Sequence, residues 1–131
     1  MPTMRDARPV LISVNEVEAD EEATATVFLS YQGKEHAGQA TGSSHAQARP
    51  RLVGEATLRA LEGVSGGQLS LDLAAVATTD VGAYRVAIAQ VVASDSPNAL
   101  VGSAAIHEDD PSMATARAVL DALNRHVASV I

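Results

Sequence analysis

Residues 68–93 read QLSLDLAAVATTDVGAYRVAIAQVVA, and this stretch decides the fold class. Leu69, Leu71 and Leu73 alternate with Ser70 and Asp72, the two-residue period of a strand with one buried face. Thr79-Asp80-Val81-Gly82 is a turn signal. Ala83 to Ala93 predicts a long second strand, with Tyr84, Val86, Ile88 and Val92 on one side. Toward the C-terminus, Ser94 to Asn98, with Pro97, reads as a hairpin loop and Ala99 to Ile106 as a returning strand. Asp110-Pro111 opens a helix, Asp as N-cap and Pro at the first helical position. Ala116, Val119, Leu120, Leu123 and Val127 form its apolar stripe.

The same order appears toward the N-terminus. Val10 to Val14 reads as a short strand. Asn15 to Glu22 carries Glu16, Glu18, Asp20, Glu21 and Glu22 and is expected as a solvated hairpin connection. Ala23 to Tyr31 is a second strand, Gln32-Gly33-Lys34 a turn, and Glu35 to Thr41 the returning strand, ending at Gly42. Ser43 to Ala48 is a polar connection. Pro50 fits the first turn of a helix bearing Leu52, Val53, Ala56, Ala60 and Leu61, which stops near Gly63 ahead of Gly66-Gly67.

The chain therefore reads strand-strand-strand-helix, twice: an α+β fold of two pseudo-repeated units, each an antiparallel sheet with one helix. Gly38 and Gly102 stand 64 residues apart, Leu61 and Leu123 stand 62 apart, and the drift is expected in the connection before the helix. The halves are about 10–66 and 67–131 of a single domain, and residues 1–9, bracketed by Pro2 and Pro9, read as a flexible tail. Ala-rich helices permit close packing but bury little area each, so extra burial against a second copy is expected: a homodimer.

Composition narrows the work such a fold does. At 131 residues the chain is one domain with a real core. No cysteine is present, which removes disulfides, thiolate metal sites and cysteine nucleophiles. A net charge of −7 and the absence of Trp, with only Phe28, Tyr31 and Tyr84 as aromatics, argue against a nucleic-acid partner. No apolar stretch approaches the roughly 20 residues of a spanning helix, and Val10 to Val14 is too short for a signal peptide. No membrane association and a cytoplasmic location are the expectation.

The segment from Met113 to Arg125 resembles the closing helix of the C-terminal regulatory domain of 2-isopropylmalate synthase. Arg117-Ala118 and Ala122-Leu123-Asn124-Arg125 match that family's Arg-Ala pair and its Ala-hydrophobic-Asn-Arg ending. Leu100 to Ile106 resembles the family's strand with spaced glycines, and Gly38-Gln-Ala-Thr-Gly42 its glycine-rich segment ahead of the first helix. The resemblance covers residues of about 23 to 127. It implies two strand-strand-strand-helix units, pairing of subunits, and a regulatory amino acid (leucine in the synthase, isoleucine in citramalate synthase relatives) near the glycine segments and helix starts. The ligand-binding positions it implies are Gly38, Ala40, Gly42, Gly102, Ala104 and Ile106. Ala40 and Ala104 depart from the family's glycines, and each methyl narrows an amino-acid pocket. The synthase reaction needs a barrel of about 250 residues, which the 131 residues do not hold. The expectation is a non-enzymatic dimerisation or regulatory module that senses a small metabolite such as a branched-chain amino acid.

Other chemistry has weaker support. His107, Glu108, Asp109 and Asp110 form the one cluster of metal-ligand types, but consecutive residues at a strand end diverge, and acids before a helix complement its dipole. No metal, no cofactor and no catalytic residue is expected. A serine nucleophile among Ser43, Ser44 and His45 lacks the Gly-x-Ser-x-Gly elbow. Two alternatives stand beside the sensing module. One is a structural module that engages a larger protein partner and has no ligand pocket. The other is a small metal-dependent or hydrolytic enzyme using His45 and His107, which requires those histidines within bonding reach of acids or of each other.

Overall fold

The computed structural model describes residues 8–107 and 110–130, and the side chains of these except 125 and 127–130. The fold is α+β. β1 (Val10–Ala19), β2 (Glu22–Tyr31), β3 (Lys34–Ser43) and α1 (Arg49–Val64) are followed by β4 (Leu71–Val81), β5 (Tyr84–Ala93), β6 (Leu100–Ala105) and α2 (Pro111–Val130). Two separate antiparallel sheets result, ordered β1-β2-β3 and β4-β5-β6.

The repeat extends to backbone irregularities. β1 has a bulge between Leu11 and Ser13, and β4 has one between Leu73 and Ala75, 62 residues on. The first hairpin turns through Asp20 at φ 58° and the fourth strand turns through Gly82 at φ 60°, again 62 residues on. Val27 pairs with Gly38, and its equivalent Ala89 pairs with Gly102. The two-residue insertion therefore lies in the loop between β5 and β6, and the connection into α2 returns the register to 62.

Two expected boundaries are corrected. The acidic run is not a connection: β1 continues to Ala19, and only Asp20 and Glu21 turn. Side chains alternate along a strand, and Glu16 and Glu18 fall on the helix side, opposite Ala25 and Ala23, where their carboxylates reach Arg49 at the start of α1. Likewise β4 runs through Thr79 to Val81, so the turn is tighter than Thr79 to Gly82 suggests. Of the expected tail, Pro9 is buried; residues 1–7, like Glu108, Asp109 and the side chain of Val127, lie outside the described residues.

Each helix lies on the inner face of its own sheet, beside the other helix, and against the first strand of the other half. The core joins Val27 and Leu29 of the first sheet, Val53, Leu58 and Leu61 of α1, Leu71 and Val91 of the second sheet, and Val119 and Leu123 of α2. The helices come close because glycines lie beneath them. A Cβ built on Gly38 would stand 2.2 Å from the backbone O of Ala56 and N of Ala60; one on Gly102 would stand 2.2 Å from the N of Ala122 and 2.3 Å from the O of Ala118. Ala56, Ala60, Ala118 and Ala122 are the matching small residues on the helices. Both partners must be small for backbones to meet at this distance.

α1 also secures the second half. Arg51 Nη2 donates to the Leu73 carbonyl and Arg59 Nη2 to the Leu71 carbonyl, each at 2.8 Å. The Leu71 N–H donates to Glu62 Oε2 at 2.8 Å. These bonds occupy the free edge of β4 over Leu71 to Leu73, so its first residues are not a template for another strand.

Candidate functional site

Each helix begins with a proline in its first turn, Pro50 or Pro111, and the two starts come together. Between them lies a cleft of about 280 Å³ lined by Glu16, Ala46, Arg49, Pro50, Pro111, Ser112 and Thr115. The pseudo-twofold repeat explains the convergence: equivalent ends of two adjacent helices meet at one place. The second helix is capped, with the Met113 N–H donating to Asp110 Oδ1 at 3.1 Å, as the sequence predicts. The first is not: Ala48 stands at its N-cap, with no side-chain cap bond, and its first turn has no acid. A helix start of this kind presents N–H groups and the positive end of the helix dipole.

Charge in the cleft is of both signs. Arg49 Nη1 lies 2.7 Å from Glu18 Oε1, and Arg49 Nε lies 3.4 Å from Glu16 Oε1. Ser112 donates its hydroxyl to Glu16 Oε2 at 2.6 Å, tying β1 to the start of α2. Arg49 Nε is buried and makes no hydrogen bond, so the guanidinium retains an unmet donor. Ala46, Pro50 and Pro111 supply apolar wall. A guanidinium and an uncapped helix start suit a carboxylate, while Glu16 suits an ammonium group. In the structure Arg49 and Glu16 pair with each other, so a zwitterion would exchange that ion pair for contacts to its own two charges. The Ser112 hydroxyl is held by Glu16, and that of Thr115 donates to the Pro111 carbonyl at 2.8 Å.

The positions implied by the family resemblance lie elsewhere. Gly38, Ala40 and Gly42 are on β3 and Gly102 and Ala104 on β6, in different sheets, with Ile106 just past β6. Gly38 and Gly102 are buried beneath α1 and α2, and a Cβ on Gly42 would stand 2.9 Å from Leu52 Cδ2. Ala40, Ala104 and Ile106 pack half-buried against the core. None of the six lines the cleft. Arg49 and Glu16 were not legible as site residues, because one opens a helix with no local partner and the other sits in an acidic run. The available signal was the paired helix starts at Pro50 and Pro111.

A second cleft, of about 500 Å³, lies beside β6 and α2 and includes Arg8, Leu100, Asp121, Asn124 and His126. Asn124 Oδ1 is buried there without a hydrogen-bond partner. The repeat gives a reason. The equivalent residue on α1 is Glu62, which accepts the Leu71 N–H; the residue 62 positions before Leu71 is Pro9, which has no N–H to donate. His45 and His107 are both exposed, and neither ring bonds to a described residue. Among the described residues, no group of three or more His, Asp or Glu side chains is placed to hold a metal ion. No described helix is long and apolar enough to cross a membrane. Neither a protein-family model nor a curated protein matches the chain.

Proposed function

We propose that the chain is a non-enzymatic regulatory module that pairs with a second copy and senses a small zwitterionic metabolite, of the kind a branched-chain amino acid represents. The observation that carries this reading is the cleft between the two helix starts, where the Arg49–Glu16 ion pair lies beside apolar wall and Arg49 Nε makes no hydrogen bond. The resemblance of α2 and β6 to the regulatory domain of 2-isopropylmalate synthase supports the same class of ligand. A cytoplasmic location accompanies the reading, since amino-acid pools that regulate biosynthesis are intracellular.

Calorimetric titration and thermal melts with leucine, isoleucine, valine and their keto acids test it. Ligand at a hundredfold excess over Kd stabilises by about 2.7 kcal/mol. Binding is expected for the amino acids, is lost in Arg49→Ala, and weakens for the keto acids, which lack the ammonium that Glu16 would hold. No heat and no shift in melting temperature across the proteinogenic amino acids would remove the sensing role. That result would favour the second reading, a protein-binding module without a ligand, which the apolar outward face of the second sheet also supports.

A further inference from the structure

We propose that the outward face of the β4-β5-β6 sheet is where two copies of this chain meet, sheet against sheet. The inference deepens the pairing half of the proposed function and rests on it.

The two halves share a backbone, so equivalent outward positions can be compared directly. Val81, Tyr84, Val86, Ile88, Val92 and Val101 point away from the core in the second sheet. Their equivalents in the first sheet are Ala19, Glu22, Thr24, Thr26, Ser30 and Ala37. The first sheet's outward face is more polar, although Val10 and Val17 are 62% and 65% exposed on it: it carries the exposed Glu22 and Glu35, Thr24 and Thr41 hydroxyls 3.0 Å apart, and Gln39 donating to Thr26 at 3.2 Å. The second face leaves Val81 59%, Tyr84 65% and Val101 63% exposed. Nothing in the fold requires this difference, since helix packing uses only the inner faces.

Area and charge indicate the occupant. Strands of 11, 10 and 6 residues, at about 3.3 Å per residue and about 4.8 Å spacing, give a footprint on the order of 430 Å². Two such faces bury on the order of 900 Å² of footprint, and more as corrugated accessible surface, which reaches the roughly 1,000 Å² a specific interface needs. Asp72 is the one charged side chain among the outward positions of this sheet. A partner chosen by charge would find nothing to read there. A second copy, itself carrying a net charge of −7, can approach this face with its acids held away. An uncharged apolar face that is its own complement suits an isologous two-fold contact.

The test uses sedimentation and light scattering on the full chain across a concentration series. A dimer is expected, converted to monomer by Ile88→Lys and by Val101→Lys, while Thr26→Lys, the same charge at the equivalent place on the first sheet, leaves the dimer intact. Circular dichroism confirms folding in each. Because the chain has no cysteine, Gln90→Cys provides a readout that does not depend on weakening the protein: a bismaleimide is expected to yield a covalent dimer, and Thr26→Cys is not. A monomeric wild type at all concentrations, or a dimer that Thr26→Lys breaks and Ile88→Lys does not, overturns the proposal. Amino-acid binding is titrated separately on the same samples, so loss of pairing and failure of sensing are read on different signals.

Discussion

Replacing Gly102 with alanine tests the packing on which the whole fold depends. The new methyl carbon would stand 2.2 Å from the Ala122 nitrogen and 2.3 Å from the Ala118 carbonyl, against 3.4 Å for the start of ordinary contact. Both obstacles are helix backbone, which cannot swing aside as a side-chain end can, so α2 must retreat by about 1 Å. A retreat of about 1 Å across a helix–sheet patch on the order of 100 Å² opens about 100 Å³, which costs about 2.4 kcal/mol at ~24 cal/mol per Å³. Alanine's narrower unfolded ensemble returns about 0.4–1 kcal/mol. The net loss is about 1.5–2 kcal/mol. With an unfolding entropy of roughly 2.1 cal/mol/K per residue over 131 residues, melting falls by about 5–7 °C. Gly38→Ala, with the same 2.2 Å clearance from α1, is expected to fall by the same amount. Gly63→Ala is the control: it lies in a helix with only His36 Nδ1 nearby, at 3.8 Å, and gains a few tenths to about 1 kcal/mol from helix propensity. The assay is reversible thermal or urea unfolding followed by circular dichroism. If Gly102→Ala melts with or above the wild type, the close helix–sheet approach does not exist and the reasoning fails.

Two further substitutions probe how the halves are joined and how α2 begins. Glu62→Ala leaves the part-buried Leu71 N–H without its acceptor and removes the partner of Arg59, so it is expected to lower stability by about 1–3 kcal/mol in urea unfolding, with faster hydrogen exchange at Leu71. An unchanged exchange rate there would mean that α1 does not secure the edge of β4. Asp110→Ala removes the acceptor for the Met113 N–H and is expected to cost about 1 kcal/mol, whereas Asp110→Asn, which keeps a capping oxygen, costs much less. Equal losses from the two would deny Asp110 a capping role.

The repeat and the fold class were legible in residues, because period-two alternation in Leu69 to Leu73 and three-to-four spacing in both helices are local signals. Asp110-Pro111 and Pro50 announced helix starts for equally local reasons: a capping oxygen and a missing N–H have their effect within one turn. Strand limits were less legible. Glu16 and Glu18 look like a loop when counted as charge, yet they are edge-strand residues whose carboxylates reach Arg49.

Tertiary structure alone decided what the glycines and the charges are for. Spacing marked Gly38 and Gly102 as equivalent, but only the packed helices show that their missing side chains admit Ala56, Ala60, Ala118 and Ala122. Tyr84, Val86, Ile88 and Val92 share a side by simple alternation, but which side faces the core depends on where the helix lies, and it lies on the side of Ala87, Ala89 and Val91. The cleft joins residues 16, 49 and 112, brought together by long-range packing that no local pattern encodes. Sequence periodicity reports what each residue does to its own segment; a site built from three segments exists only after the helices have chosen their sheets.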